Sequence, residues 1–244
     1  MKYLLFCVSI LVSFNILAFD KSFFSLETGM VWQHRNDVKN PPDSGSYVQF
    51  DQFDPGGFLH ARVNAFYLIN KKHGLRLVLA PFKIEVTGQS PTPIDFNGET
   101  YSANTDITVS YQFNSYRLGY VYNYYSSGDS FFHLGLTGKI RDAEIKFTQG
   151  SIAPSSDDNV GFVPLFYVAY GKQLGSDWSF FFDSDFAAAP QGRAIDMLFK
   201  FQKKVSDKMK AGVGYRTLEG GADNDEVFTF SWFNYLILDL QFEF

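Results

Sequence analysis

Apolar and polar side chains alternate along most of the chain. In the C-terminal segment Phe228, Phe230, Trp232, Leu236, Leu238, Leu240, Phe242 and Phe244 share one parity, whereas Ser231, Asp239, Gln241 and Glu243 share the other. The same period sets Trp178, Phe180, Phe182 and Phe186 against Ser179, Asp183 and Asp185, and Ile195, Met197, Phe199 and Phe201 against Asp196, Lys200 and Gln202. Successive side chains of a strand point to opposite faces, so a period of two predicts strands with one greasy and one wet face. Helical spacing fits none of these segments better.

Turn signals between the alternating runs delimit ten strands, over 22–35, 57–70, 74–87, 104–125, 129–148, 160–173, 177–189, 193–205, 208–219 and 226–244. The links at 71–74, 126–129, 174–177 and 206–207 are tight, whereas 36–56, 88–103, 149–159, 189–193 and 220–225 read as mostly longer loops. Short and long links in alternation predict an all-β, antiparallel up-and-down barrel with turns at one rim and loops at the other. An even strand count brings both termini to the tight-turn rim, where the first and last strands can pair. Segments 104–125 and 129–148 exceed the roughly 9–11 residues that cross a bilayer, so they are expected to project beyond the outer rim. Within 104–125 the apolar parity passes from Ile107, Val109, Tyr111 and Phe113 to Tyr116, Leu118, Tyr120, Tyr122 and Tyr124, which predicts a bulge near Asn114 and Ser115. A second is expected at Ala80 and Pro81, between Leu75, Leu77, Leu79 and Phe82, Ile84, Val86, because proline brings no N–H to a ladder.

Composition narrows the class. Hydrophobic residues make up 45% of the chain and the formal net charge is −5, which excludes a disordered polymer and disfavours a nucleic-acid partner. Residues 1–18 carry one charge, Lys2, ahead of an uncharged stretch ending at Ala18, the layout of a cleaved secretory signal. That reading leaves 19–244 as a single barrel domain without cysteine, since Cys7 goes with the signal. In the remainder the longest run free of Asp, Glu, Lys and Arg is 159–171, 13 residues interrupted by Pro164, too short for a membrane-spanning helix. Passage through a membrane would therefore need a closed sheet, which leaves no backbone edge unpaired in lipid.

With its export signal, alternating strands, Tyr-rich bands and terminal Phe244, the chain resembles the Gram-negative outer-membrane β-barrel proteins along its whole mature length. The segments KIRDAEI (139–145), GFVPL (161–165), GRAID (192–196) and LEGGADNDEV (218–227) also resemble those of an uncharacterised barrel family, which implies no activity. The outer-membrane resemblance implies that Tyr235, Leu240, Phe242 and Phe244 in the last strand serve the barrel-assembly machinery. It implies outer-membrane lipid as the other partner.

If the greasy parity faces lipid, the lumen receives polar groups and both signs of charge, including Glu27, Arg35, His60, Arg62, Lys83, Glu85, Gln112, Arg117, Lys139 and Asp239. Unpaired buried charge is costly, so these groups are expected to pair. Arg141, Asp142 and Glu144, then Asp183 and Asp185, then Arg193 and Asp196, then Arg216 and Glu219 lie toward the outer ends of four strands. With Asp223, Asp225 and Glu226 they would line an outer cup for a small polar ligand or a divalent cation held by oxygen ligands. The acidic run matches no metal-loop spacing and reads more readily as a solvated loop than as a metal site.

No G-x-S-x-G or H-E-x-x-H occurs, and nothing in the sequence points to a cofactor such as haem or an iron–sulfur cluster. Omptin-type proteases share the ten-strand count but use paired acidic residues and a His–Asp couple at the outer mouth, and no local motif here matches them. For an outer-membrane hydrolase acting on lipid or peptide, His60 with Asp183 and Asp185 would be the best-placed players, His60 being the only imidazole near the outer end of a strand. The favoured reading is a non-catalytic outer-membrane barrel, either a narrow pore or a surface-ligand-binding or envelope-structural protein. A soluble barrel of the lipocalin type would have to hold more than about twenty large apolar side chains in a narrow lumen.

Overall fold

The computed structural model describes residues 21–190 and 192–244, so the signal reading of 1–18 lies outside the described residues. The strands are β1 (Phe23–Lys39), β2 (Val48–Gln49), β3 (Gly56–Asn70), β4 (His73–Ala80), β5 (Lys83–Gly88), β6 (Ile94–Phe96), β7 (Glu99–Tyr101), β8 (Ile107–Ser127), β9 (Ser130–Gln149), β10 (Ile152–Gln173), β11 (Trp178–Ala189), β12 (Gly192–Ser206), β13 (Met209–Asp223) and β14 (Phe228–Glu243). A single 3-10 turn, Phe50–Gln52, follows β2.

Ten staves form the wall in the order β1, β3, β4 with β5, β8, β9, β10, β11, β12, β13, β14, each antiparallel to its neighbours. β14 returns to β1 from Phe23 opposite Glu243 to Lys39 opposite Phe228, which closes the barrel. Closure removes the open edge that lipid would not tolerate. Outside the ring, β6 and β7 make a small hairpin and β2 adds briefly to the upper end of β1.

Several expectations need correction. The segments 149–159, 189–193 and 220–225 are not long loops. β10 begins at Ile152, Ala189 pairs with Gly192 across a tight turn, and β13 continues to Asp223 opposite Phe228. These outer hairpins rise above the level where either face meets lipid, so the alternation that marks a strand fades there while the backbone ladder continues. The long outer connections among the described residues are 40–55 and 89–106.

The expected bulges at Asn114 with Ser115 and at Ala80 with Pro81 are also absent. Ala80 opposite Ser115 and Lys83 opposite Gln112 belong to one continuous register, with shifts instead between Gln33 and Arg35 and between Asn123 and Tyr125. Arg76, Val78, Phe82, Ile84 and Val86 all face inward. Likewise Ile107, Val109, Tyr111, Ser115 and Arg117 share the inner face of β8. The apolar set changes face because the solvent changes. Lower down, the outward face is apolar and the lumen polar; higher up, the outward face is polar and the interior apolar. At Pro81, the Asn114 side-chain carbonyl accepts the Phe82 N–H at 3.0 Å and takes the place of a ladder bond.

The outward faces carry a belt of exposed apolar residues, among them Leu59, Leu77, Leu118, Leu136, Phe162, Phe199 and Leu238. Tyr67, Tyr120, Tyr124, Tyr125 and Trp178 crowd its tight-turn side, while Trp32 and Tyr116 mark its other edge. Such bands are where amphipathic rings meet both membrane interfaces.

Candidate functional site: the filled lumen

The lumen is occupied in three layers. At the tight-turn side Phe66, Val121, Phe131, Tyr167 and Ala169 form a small apolar cluster against Phe23, Leu68 and Phe181. Gly171 makes room for it: a Cβ there would lie 1.6 Å from the Phe131 ring.

Charge fills the middle. Asp196 on β12 meets Arg62 of β3 at 3.0 Å, Arg117 of β8 at 2.7 Å and Arg216 of β13 at 2.5 Å. Asp185 on β11 accepts from Arg76 at 2.8 Å, Arg117 at 2.7 Å and the Thr137 hydroxyl at 2.8 Å. Arg216 also reaches Glu27 of β1 at 2.8 Å, and Lys200 reaches Asp239 at 3.1 Å. Both Arg62 to Asp196 and Arg76 to Asp185 join staves four places apart in the ring of ten, so these bonds cross the lumen rather than run along its wall. The guanidinium of Arg76 further covers the Tyr167 ring at 4.4 Å, tying this layer to the one below. Arginine serves here because its planar fork bonds two carboxylates at once and stays charged when buried.

Above lies an apolar plug. Phe50 from the 3-10 turn and Ile94, Phe96 and Tyr101 from the β6–β7 hairpin pack on the inward Ile84, Val86, Ile107, Val109, Tyr111 and Phe147. Phe96 stacks on Phe147 at 4.3 Å between ring centres. The Tyr101 hydroxyl accepts the Ser155 N–H at 2.9 Å and lies 3.2 Å from the Phe147 carbonyl. Ser102 and Gln149 exchange amide bonds at 2.6 and 3.1 Å. Asn40, just past β1, donates to Asp157 of β10 at 2.9 Å, five staves away, while the two long connections meet where the Asn97 N–H donates to the Asn40 carbonyl at 3.0 Å and the Ser46 N–H to the Asp95 carbonyl at 2.8 Å. Asp157 stands above the apolar belt, where burial raises its carboxyl above the ordinary value; the Asn40 bond opposes that, and the charges of Asp158 and Glu226 add to it.

The expected outer cup does not assemble as one site. Arg117, Asp185, Asp196 and Arg216 come together, but in mid-lumen beneath the plug. Arg193 pairs with Glu219 at 2.5 Å on the outer rim, with the Arg193 side chain 56% exposed. Arg141 bonds Asn159, while Asp142 accepts from Gln112 and Asn114 at 3.2 and 3.0 Å, away from the central network. Glu144 sits beside them, opposite Gln112 and Asp158. Lys83 and Glu85 are exposed rather than lumenal, since on β5 the inner parity belongs to Ile84 and Val86.

Asp223, Asp225 and Glu226 form a turn whose Asn224 side chain accepts the Glu226 and Val227 N–H groups. Among the described residues no group of three acidic, His or Cys side chains is placed to hold a metal ion. His60 lies edge-on to Tyr235 at 5.0 Å, and among the described residues no hydrogen bond joins it to Asp183 or Asp185. Tyr235 is thus a lumen residue and not part of an outward C-terminal face, whereas Leu240 and Phe244 are exposed. Sequence reasoning omitted Arg76, although its place between Leu75 and Leu77 is the same alternation signal.

The architecture matches solved structures. The outer membrane protease OmpT from Escherichia coli superposes with a TM-score of 0.53 at 9% identity, over 92% of this chain and 97% of that one. The chain shares the closed antiparallel barrel fold of this outer-membrane protein. Ail, the attachment invasion locus protein of Yersinia pestis, also matches, at 12% identity and a TM-score of 0.38 over 92% of this barrel and 99% of that chain. No protein-family model and no curated protein matches this barrel.

Proposed function

We propose that this chain is a non-catalytic, closed outer-membrane barrel that works at its surface, as an envelope-structural or ligand-binding protein, and not as a pore. The observation that carries this reading is the filled lumen: a plug clasped across the mouth by Asn40 and Asp157 sits on a network whose ion pairs span the interior. Removing water from so many charges is tolerable when they are bonded, and here Asp196 faces three guanidinium groups and Asp185 two. The hydrolase alternative has less support, because His60 lies below the plug and engages Tyr235 rather than a carboxylate. On this reading the lipids of the outer membrane surround the belt, residues 1–18 direct export, and Leu240, Phe242 and Phe244 address the assembly machinery.

A liposome-swelling assay tests it. Vesicles carrying the folded barrel should swell in arabinose no faster than empty vesicles. Swelling that rises with the amount of barrel would replace the surface role with a transport role.

A further inference from the structure

The wall is not paired along its whole height. Above Val63 opposite Leu79, β3 pairs only with β1 and β5 pairs only with β8, which leaves a seam between β3 and β5. The Val63–Leu79 pair closes its foot. At its head the Phe53 ring packs on Gly88, where a Cβ would lie 2.5 Å away. The seam stands where outward residues change from Leu77 and Leu79 to Lys83 and Glu85, at the upper edge of the apolar belt.

Behind it lies a cavity of about 30 Å³, between the charged layer and the plug, reached past Ala61, Pro81 and Phe82 and floored by Arg62 and Arg216. Three polar atoms buried there have no hydrogen-bond partner: Arg62 Nη2, Arg216 Nε and His60 Nε2. Arg62 and Arg216 are only 4% and 2% exposed. Guanidinium nitrogens can only donate, so an acceptor is what would satisfy them. A volume of this size takes about two water-sized atoms, which suits the paired oxygens of a carboxylate and not the four of a phosphate.

Charge agrees with the geometry. The cavity is lined by the guanidinium groups of Arg62, Arg117 and Arg216 and, among the described residues, by no carboxylate. The approach is apolar, with Leu59 78% exposed beside it, as an alkyl chain requires.

We propose that the seam admits the carboxylate end of an amphiphile from the outer leaflet, with Arg62 and Arg216 donating to the carboxylate and the chain leaving between β3 and β5. The site is lateral, so it stands apart from the surface role and from whether the barrel conducts. Calorimetric titration of the folded barrel in non-ionic micelles with sodium dodecanoate should show one saturable site, with dodecanol binding at least about tenfold more weakly. Ala61→Trp, which fills the seam from outside, should abolish binding, and His60→Phe should weaken it, while both variants keep the heat-modifiable gel mobility of a folded barrel. Equal binding of dodecanol, or no saturable binding, overturns the site. Dodecanoate binding unchanged in Ala61→Trp overturns the lateral route. Acetate that binds as tightly as dodecanoate would show a site for free carboxylates reached through water, and would overturn the amphiphile.

Discussion

Asp196 is the most connected carboxylate of the lumen, and its removal has a calculable consequence. The substitution Asp196→Ala deletes one negative charge and leaves Arg62, Arg117 and Arg216, which met it at 3.0, 2.7 and 2.5 Å, to share Glu27 and Asp185. Breaking a buried ion pair from one side costs about 3–5 kcal/mol, because the remaining charge is desolvated and uncompensated. Three guanidinium groups lose a partner together, which places the expected loss toward the upper end of that range. With a urea slope of about 2 kcal/mol per molar, the unfolding midpoint should fall by about 2 M. The assay is equilibrium unfolding of the refolded barrel followed by tryptophan fluorescence. Asp142→Ala is the control, since its carboxylate accepts only two side-chain amides. A shift for Asp196→Ala no larger than the control's would refute the view that the network is a desolvated, interdependent unit.

Two further outcomes follow from other layers. Gly171→Ala drives a methyl group into the Phe131 ring, and overpacking of this kind should cost about 1–3 kcal/mol in the same unfolding assay; an unchanged midpoint would contradict the tight lower layer. Asp157 has a folded-state carboxyl raised above 3.8, so the folded state holds its proton more tightly than the unfolded one. Its contribution is fully present below the unfolded value and is lost as pH rises through the raised folded value. Amide exchange in 40–55 should therefore be better protected near pH 4 than near pH 7 once corrected for intrinsic rates, and Asp157→Asn should flatten that difference.

How far the sequence speaks depends on what each face meets. Where lipid lies outside, as along Leu236, Leu238 and Leu240, alternation reports stave, face and neighbour together. The same rule misleads above the belt. Ile107, Val109 and Tyr111 carry the greasy signal yet face inward, because the outer half of the barrel is packed like a soluble core around Phe50, Phe96 and Tyr101. Parity alone cannot tell these cases apart, since both alternate with a period of two. The charged layer was legible as a set of inward residues, but not as a network. Arg62 and Asp196 are 134 residues apart, and only barrel closure and stave order bring them within 3.0 Å. The outer cup failed for a related reason: position along a strand gives height, whereas the contacts across the lumen depend on which staves stand opposite.

The filled lumen is tested most directly by single-channel current through the refolded chain, residues 19–244, in a planar lipid bilayer. Insertion shown by heat-modifiable gel mobility and by protein recovered with the membrane, without current steps above the bare bilayer, is the predicted result. Stable, ohmic steps from the same folded barrel would mean that water threads the plug and the ion network, and would contradict the account at its centre.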